Sequence, residues 1–170
     1  MNKMIFLFLL VISTTGFATN VAAERLPEGK DYPVDKLYTG KTAQQVDRSD
    51  EFTNMFRTRF KYALSGDIVF AGEYAKASWG CGSSGCHIVS LISKRTGRAL
   101  DRGFSVYYAM DDNHPIGEEI LYMDKNSRLI ITGGTDDETN ESFRYYYLLE
   151  GNSLKLLSRL PNNNIPPVNN

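Results

Sequence analysis

The chain has 170 residues, 23% of them charged and 42% hydrophobic, with a formal net charge of −1. This ordinary composition predicts one globular domain with a single core. A charge so close to neutral excludes a nucleic-acid scaffold, which needs a strongly basic face.

Residues 1–23 have the pattern of a signal peptide. Lys3 precedes an apolar run from Met4 to Ile12, and small residues at Val21 to Ala23 precede the predicted cleavage. The run is shorter than the roughly 20 residues of a membrane-spanning helix. The sequence therefore predicts a periplasmic protein with no membrane span after cleavage. The alternatives are a secreted protein and an uncleaved N-terminal anchor.

The remaining chain divides into three predicted parts. Residues 24–47 contain several prolines and glycines without an apolar period, which predicts an extended arm lying across the domain. Residues 48–160 form a single α+β domain. Residues 161–170 include Pro166-Pro167 and an asparagine run, which predicts a flexible tail.

An amphipathic helix is predicted directly after the arm, because apolar residues recur there at three- and four-residue spacing. Ser49 is the predicted N-cap, Asp50 and Glu51 lie in the first turn, and Gly66 follows the end. The apolar positions are Phe52, Met55, Phe56, Phe60, Ala63 and Leu64.

Beyond Gly66 the pattern changes to short strands that are rich in β-branched and aromatic residues. Connections this short exclude crossover helices and predict an antiparallel sheet or meander of six or seven strands, with the single N-terminal helix packed on it. The predicted strands are Ile68–Ser78, His87–Lys94, Gly103–Met110, Glu118–Asp124, Arg128–Thr132, Ser142–Glu150 and Ser153–Leu160.

The two cysteines, Cys81 and Cys86, fall between two predicted strands and are expected to form a disulfide that clamps a hairpin tip. A bridge across so short a loop contributes only about 2 kcal/mol in the loop-entropy model, so it shapes the loop more than it supports the fold. The predicted partner-binding residues of this tip are Trp79, Gly82, Ser83, Ser84, Gly85 and His87. The alternative is a merely structural clamp, with Trp79 in the core.

An acidic loop follows the predicted strand that ends at Thr132. Its residues Asp136, Asp137 and Glu138 are predicted to steer a basic partner, with a solvated hairpin loop as the alternative. The loop lacks the alternating carboxylates and central glycine of an EF-hand, so no calcium site is predicted.

Patterns typical of catalysis or metal binding are weak in this sequence. The spacing of the cysteines does not fit a redox motif, and a zinc site would need His87 and the separate His114 as well. We therefore predict no cofactor, no metal and no enzyme activity. The remaining catalytic alternative is a hydrolase whose distant carboxylates meet, such as Glu73 with Glu118.

Two resemblances bear on function. The stretch Phe70-Ala71-Gly72-Glu73-Tyr74, with Trp79-Gly80-Cys81, Cys86 and Lys94-Arg95-Thr96-Gly97, resembles a group of uncharacterised exported bacterial proteins. That resemblance implies no activity. More loosely, the expected architecture is similar to the periplasmic inhibitor of vertebrate lysozyme, whose cysteine-bounded loop plugs the target's active site and carries a histidine between its cysteines. In this chain only Gly and Ser residues lie between the two cysteines, and His87 directly follows the second of them.

The sequence thus predicts a binding protein, preferably an inhibitor or immunity protein that blocks a cell-wall-degrading enzyme or a toxin through the disulfide-clamped tip. The main alternative is a module that binds a small envelope ligand or an assembly partner on an aromatic sheet face including Tyr107, Tyr108 and Tyr145.

Overall fold

The structure is a computed structural model, and it describes residues 25–82, 85–108 and 115–162. The predicted signal peptide and most of the predicted tail lie outside these residues, as do Ser83, Ser84 and His114. Over the described ranges, no helix has the length and apolar character needed to cross a membrane.

Two short helices precede nine strands in the described residues. The helices are α1 (Glu51–Met55) and α2 (Arg57–Ala63). The strands are β1 (Ile68–Phe70), β2 (Tyr74–Gly80), β3 (His87–Ser93), β4 (Ala99–Tyr108), β5 (Pro115–Gly117), β6 (Glu119–Tyr122), β7 (Leu129–Thr135), β8 (Ser142–Glu150) and β9 (Ser153–Pro161).

All nine strands belong to one sheet, in the order β1-β2-β3-β4-β5-β7-β8-β9, and β6 also pairs with β7. Neighbours are antiparallel except β5 and β7, which are parallel and pair Ile116 with Thr135. The predicted α+β fold, a meander of six or seven strands with one N-terminal helix, is therefore wrong. The protein is mostly sheet, the sheet is mixed, and it has more strands than predicted.

Two local features account for the additional strands. The predicted strand Ile68–Ser78 is broken by a turn at Ala71 and Gly72, where both residues have positive φ (45° and 76°). The second is β5, a three-residue strand whose Gly117 lies so close to β4 that a Cβ atom there would collide with the Ser105 carbonyl oxygen. Strands are predicted from alternation of apolar and polar residues over several positions. The two-residue turn does not interrupt that alternation visibly, and the three residues of β5 are too few to show it.

The predicted single helix is also interrupted. Phe56 stands between α1 and α2 with φ −105° and ψ 23°, outside helical geometry. Its ring lies 4.8 Å from that of Trp79 in β2, and the Phe60 ring lies 5.9 Å from the same indole. Five of the six predicted apolar positions therefore face the sheet, on two short helices, whereas Met55 is 62% exposed.

Hydrophobic side chains pack on both faces of the sheet. The inner cluster draws on six strands and contains Phe70, Tyr74, Leu91, Leu100, Phe104, Ile130, Tyr147 and Leu149. On the opposite face, the helices cover β2 to β4 through Phe52 of α1, Phe60 and Ala63 of α2, and Leu64 directly after it. On β7 to β9, that face receives Leu26 and Tyr32 from the N-terminal segment.

Residues 25–47 run along one end of the sheet, which we call the arm end. Backbone N–H groups of this arm donate to carbonyl oxygens of three strand-connecting turns: Val34 to Asn126, Tyr38 to Gly72, and Ala43 to Lys94. Asp47 donates to Gly97 in the third of these turns. The arm therefore satisfies backbone groups that the turns would otherwise leave to water.

We predict that Asp50 fixes the start of α1. Its carboxylate accepts hydrogen bonds from the Thr53 backbone N–H (2.8 Å) and hydroxyl (2.6 Å) and pairs with Arg98 at 3.0 Å. Asp50→Ala should lower the free energy of unfolding by about 1 to 2 kcal/mol, as measured by urea denaturation. Asp50→Asn, which retains a capping oxygen, should lose clearly less. Equal losses in the two variants would show that the cap does not stabilise the helix.

Candidate functional site

The end of the sheet opposite the arm carries the predicted binding loops, and we call it the disulfide end. The register places Gly80 beside His87, Tyr108 beside Pro115 and Thr135 beside Ser142. The loop between β2 and β3 and the acidic loop between β7 and β8 therefore leave the sheet in the same direction.

A disulfide joins Cys81 and Cys86, as predicted. The Cys81 N–H also donates to the Cys86 carbonyl at 3.1 Å, which continues the β2–β3 ladder one pair beyond Gly80. Gly82 and Gly85 have φ of 139° and 67°, backbone that side-chain-bearing residues rarely adopt. Ser83 and Ser84 lie outside the described residues, so the tip is characterised here only by its base.

The two residues predicted to flank the tip lie in different surroundings. His87 begins β3, with Nδ1 3.3 Å from the Gly85 carbonyl oxygen, and its ring is partly exposed. Trp79 is half-buried beneath the helices, between Phe56 and Phe60. His87 is thus available to a partner at the disulfide end, whereas the indole of Trp79 holds the helices on the sheet.

The acidic loop is organised around Asp136. Its carboxylate accepts hydrogen bonds from the backbone N–H groups of Glu138 and Thr139 and from the Thr139 hydroxyl. The Thr139 backbone bond is the largest cause of an Asp136 pKa below its usual value. Glu138 is exposed, so the loop presents a negative charge to solvent on an ordered backbone.

Two adjacent tyrosines at the end of β4 lie near one loop each, on opposite faces of the sheet. The Tyr107 hydroxyl forms a hydrogen bond with Asp137 of the acidic loop, and this bond raises the pKa of Tyr107. Tyr108, 38% exposed, lies beside Gly85, where its ring would be 3.5 Å from an added Cβ atom. The structure therefore places the predicted disulfide loop and acidic loop at the same end of the sheet, with β4 and β5 between their strands.

A polar cluster that the sequence did not predict lies between the two halves of the sheet. The Glu118 carboxylate accepts hydrogen bonds from three side chains. These are the Thr132 hydroxyl at 2.8 Å, the Tyr147 hydroxyl at 3.0 Å and the Arg102 guanidinium at 2.9 Å. The Arg102 guanidinium carbon also lies 4.8 Å from the ring centroids of both Phe104 and Tyr147. One carboxylate thus collects donors from β4, β7 and β8.

The carboxylates Glu73 and Glu118 do not form a pair. Glu73 binds the Ser93 hydroxyl at 2.6 Å and Arg95 at 2.6 Å, near the arm end. Glu118 lies at a different level of the sheet. Its backbone N–H donates to the Ser105 carbonyl, and Ser105 pairs with Ile88 on β3, so Glu118 is level with Ile88. Ser93 and Ile88 are five residues apart on β3, or roughly 17 Å at the usual rise of a strand. Each carboxylate has its own arginine instead.

A cleft of about 550 Å³ opens beside the Glu118 cluster, between β6 and the inner face of β2 to β4. Its floor is Val89 and Phe104, Lys76 and His87 lie on one wall, and Glu119 lies on the other. Of the aromatic residues predicted for a ligand-binding face, Tyr107, Tyr108 and Tyr145 do not line this cleft.

Among the residues that the structure describes, no group of three or more His, Cys, Asp or Glu side chains is placed to hold a metal ion. Comparison with known proteins gives no relative: no family model, curated protein or solved structure matches this chain.

We expect the Tyr147 hydroxyl and the Glu118 carboxylate to be energetically coupled. Tyr147→Phe should lower the free energy of unfolding by about 1.5 to 3 kcal/mol, because it removes a hydrogen bond to a charged, partly buried group. A double-mutant cycle with Glu118→Gln should give a coupling of about 0.5 to 3 kcal/mol. Tyr62→Phe is the matched control, since that side chain is 75% exposed and should change stability very little. Additive losses in the cycle would contradict the coupling.

Two buried tyrosines should make the protein sensitive to alkali. Burial raises the pKa of both Tyr74 and Tyr147 to about 12. Both phenols are neutral in the folded protein, and ionising them costs more there than in the unfolded chain. The stability that the neutral tyrosines contribute is therefore fully present below about pH 10 and is lost as the pH rises through 12. Urea unfolding across that window should show a smaller loss for the Tyr74→Phe/Tyr147→Phe variant than for the wild type. The same slope in both proteins would refute this assignment.

Proposed function

We propose that the protein is an exported binding protein whose disulfide end contacts a protein target, and that it acts as an inhibitor or immunity protein against a cell-wall-degrading enzyme or a toxin. In this proposal it catalyses no reaction and needs no cofactor. One observation carries the proposal: the disulfide loop and the acidic loop leave the sheet at the same end, as the pairing of Gly80 with His87 and of Thr135 with Ser142 shows.

The two ends of the sheet differ in a way that supports a binding role for the disulfide end. The arm covers turns at the other end through five backbone hydrogen bonds. At the disulfide end, the clamped loop and an ordered acidic loop project from a rigid sheet. Binding residues are commonly placed on loops that such a scaffold holds in position.

The charge of the acidic loop bears on the kind of target. Asp136 accepts hydrogen bonds from its own loop, whereas Asp137 and Glu138 are both exposed. Acidic groups arranged in this way favour a target with a basic surface, because complementary charge speeds association. Vertebrate-type lysozymes are the first targets to test, given the resemblance of the clamped loop to that of the periplasmic lysozyme inhibitor.

A second candidate function is the binding of a small envelope ligand, and the cleft beside Glu118 favours it. Its volume of about 550 Å³ is within the range of small-molecule sites, and it combines the apolar floor of Val89 and Phe104 with charged walls. This function would use Lys76 and His87 rather than the tyrosines that the sequence indicated.

The proposal predicts that changes at the disulfide end abolish target binding without unfolding the protein. Wild-type protein lacking residues 1–23 should bind or inhibit a vertebrate-type lysozyme, or capture a hydrolase or toxin from envelope extract and culture supernatant. Asp137→Lys and the Ser83→Trp/Ser84→Trp double variant should each lose that binding by about tenfold or more. Thermal melts would check that both variants remain folded.

The matched control is Glu150→Lys, which reverses an exposed acid in the β8–β9 turn at the other end of the sheet. It should bind the target as the wild type does. If all variants bind alike, the disulfide end is not the contact. If the wild type captures no protein but a small ligand raises its melting temperature, the cleft becomes the preferred site.

A further inference from the structure

The edge of β2 near the disulfide is a second surface with consequences for binding. β1 pairs only with Tyr74 and Ala75 of β2. From Lys76 to Gly80, β2 has β3 on one side and no strand among the described residues on the other. A strand edge of this kind presents unpaired backbone groups that can pair with another extended chain.

The hydrogen-bond pattern shows which backbone groups face that edge. Lys94 N–H donates to the Glu73 carbonyl, and Cys81 N–H donates to the Cys86 carbonyl. Residues between Glu73 and Cys81 alternate without a register shift, so Ala75, Ala77 and Trp79 direct their N–H and C=O groups toward β3. Ser78 and Gly80 therefore direct theirs outward, and both residues are exposed.

The surroundings of this edge are basic. A groove of about 360 Å³ runs between β2 and α2, lined by Arg59 and Tyr62 on the helix and by Lys76 and Ser78 on the strand. The Arg59 side chain forms no ion pair with any described residue, and no acidic residue lines this groove. The Lys76 side chain alternates to the other face of β2, where it lines the cleft that also contains Glu119. Tyr62 is 75% exposed and offers an aromatic surface beside the strand.

We propose that this edge binds an extended acidic segment of a partner protein, which adds a strand to β2 at Lys76–Gly80. Backbone hydrogen bonds to Ser78 and Gly80 supply the pairing, and side chains on alternate positions of the added strand meet α2 on one face. An acidic residue on that face lies over Arg59. The site adjoins the disulfide end but uses the edge of β2 rather than the two loops, and its test does not require the target proposed above.

Other occupants fit less well. Residues 163–170 contain no acidic side chain and include Pro166 and Pro167, which have no N–H to donate. A second copy of the chain paired through the same edge would bring two sets of Arg59 and Lys76 together, and like charges repel. The other outer strand, β9, includes Pro161 and a register irregularity, both of which weaken it as a template.

The test measures binding of synthetic peptides to the protein lacking residues 1–23 by fluorescence anisotropy. The probes are a labelled peptide of about seven residues that alternates Glu with Val or Thr, and its counterpart with Lys in place of Glu. The acidic peptide should bind about tenfold or more tightly than the basic one at low salt. Equal affinity for the two, or tighter binding of the basic peptide, would overturn the proposal.

Two substitutions examine the edge itself. Ser78→Pro removes the outward N–H without breaking a bond to β3, so the acidic peptide should bind about tenfold more weakly, whereas Ser78→Ala keeps the N–H and should bind as the wild type does. Arg59→Glu, on an exposed helix surface, should reverse the charge preference. If the Ser78→Pro variant does not fold, the Arg59→Glu variant becomes the deciding test. An unchanged preference of that variant for the acidic over the basic peptide would reject the site. Sedimentation that shows a dimer abolished by Arg59→Glu would instead assign the edge to a second copy.

Discussion

The carboxylate of Glu118 lies at the junction between the two antiparallel halves of the sheet. β1 to β4 form one antiparallel half, β6 to β9 form the other, and only the short β5 pairs with both. Glu118 accepts hydrogen bonds from Arg102 in the first half and from Thr132 and Tyr147 in the second. A partly buried carboxylate is stable only while its donors remain in place, so these bonds fix the position of one half against the other.

The hydrogen bonds to Glu118 also determine where the two candidate binding sites lie on the surface. Because the halves are held at Glu118, the strand ends beyond it stay in register, and the disulfide loop and the acidic loop remain at the same end of the sheet. The same cluster forms one side of the cleft lined by Lys76 and His87. Both candidate binding sites therefore depend on a group that contacts neither of the predicted loops.

The sequence predicts those parts of the fold that have a local signal. β3 and β8 begin at the predicted residues, because alternation of apolar side chains and tight turns define them. Tyr145 and Tyr147 share one face and Tyr146 lies on the other, as the period of a strand requires. Cys81 and Cys86, the two cysteines of the chain, fall between two predicted strands and form the predicted disulfide.

What the sequence did not predict depends on contacts between distant residues. β5 exists because it lies against β4 and β7, and its three residues show no pattern of their own. The role of Glu118 arises from donors that are 14 to 29 residues away along the chain. For Trp79, two residues before Cys81, the sequence left both a partner-binding role and a place in the core open, and its indole packs between Phe56 and Phe60 of the preceding helices.

The arm has a consequence for how the chain folds. Its bonds to the β6–β7 turn join Val34 to Asn126, about 90 residues apart, and those to the β3–β4 turn join Ala43 to Lys94. The segment is synthesised early but has no docking surface until both turns exist, and closing such large loops before other contacts form is entropically costly. We therefore expect the arm to dock late, after the sheet has formed, and the folding rate to depend little on the arm's own contacts, which would instead slow unfolding.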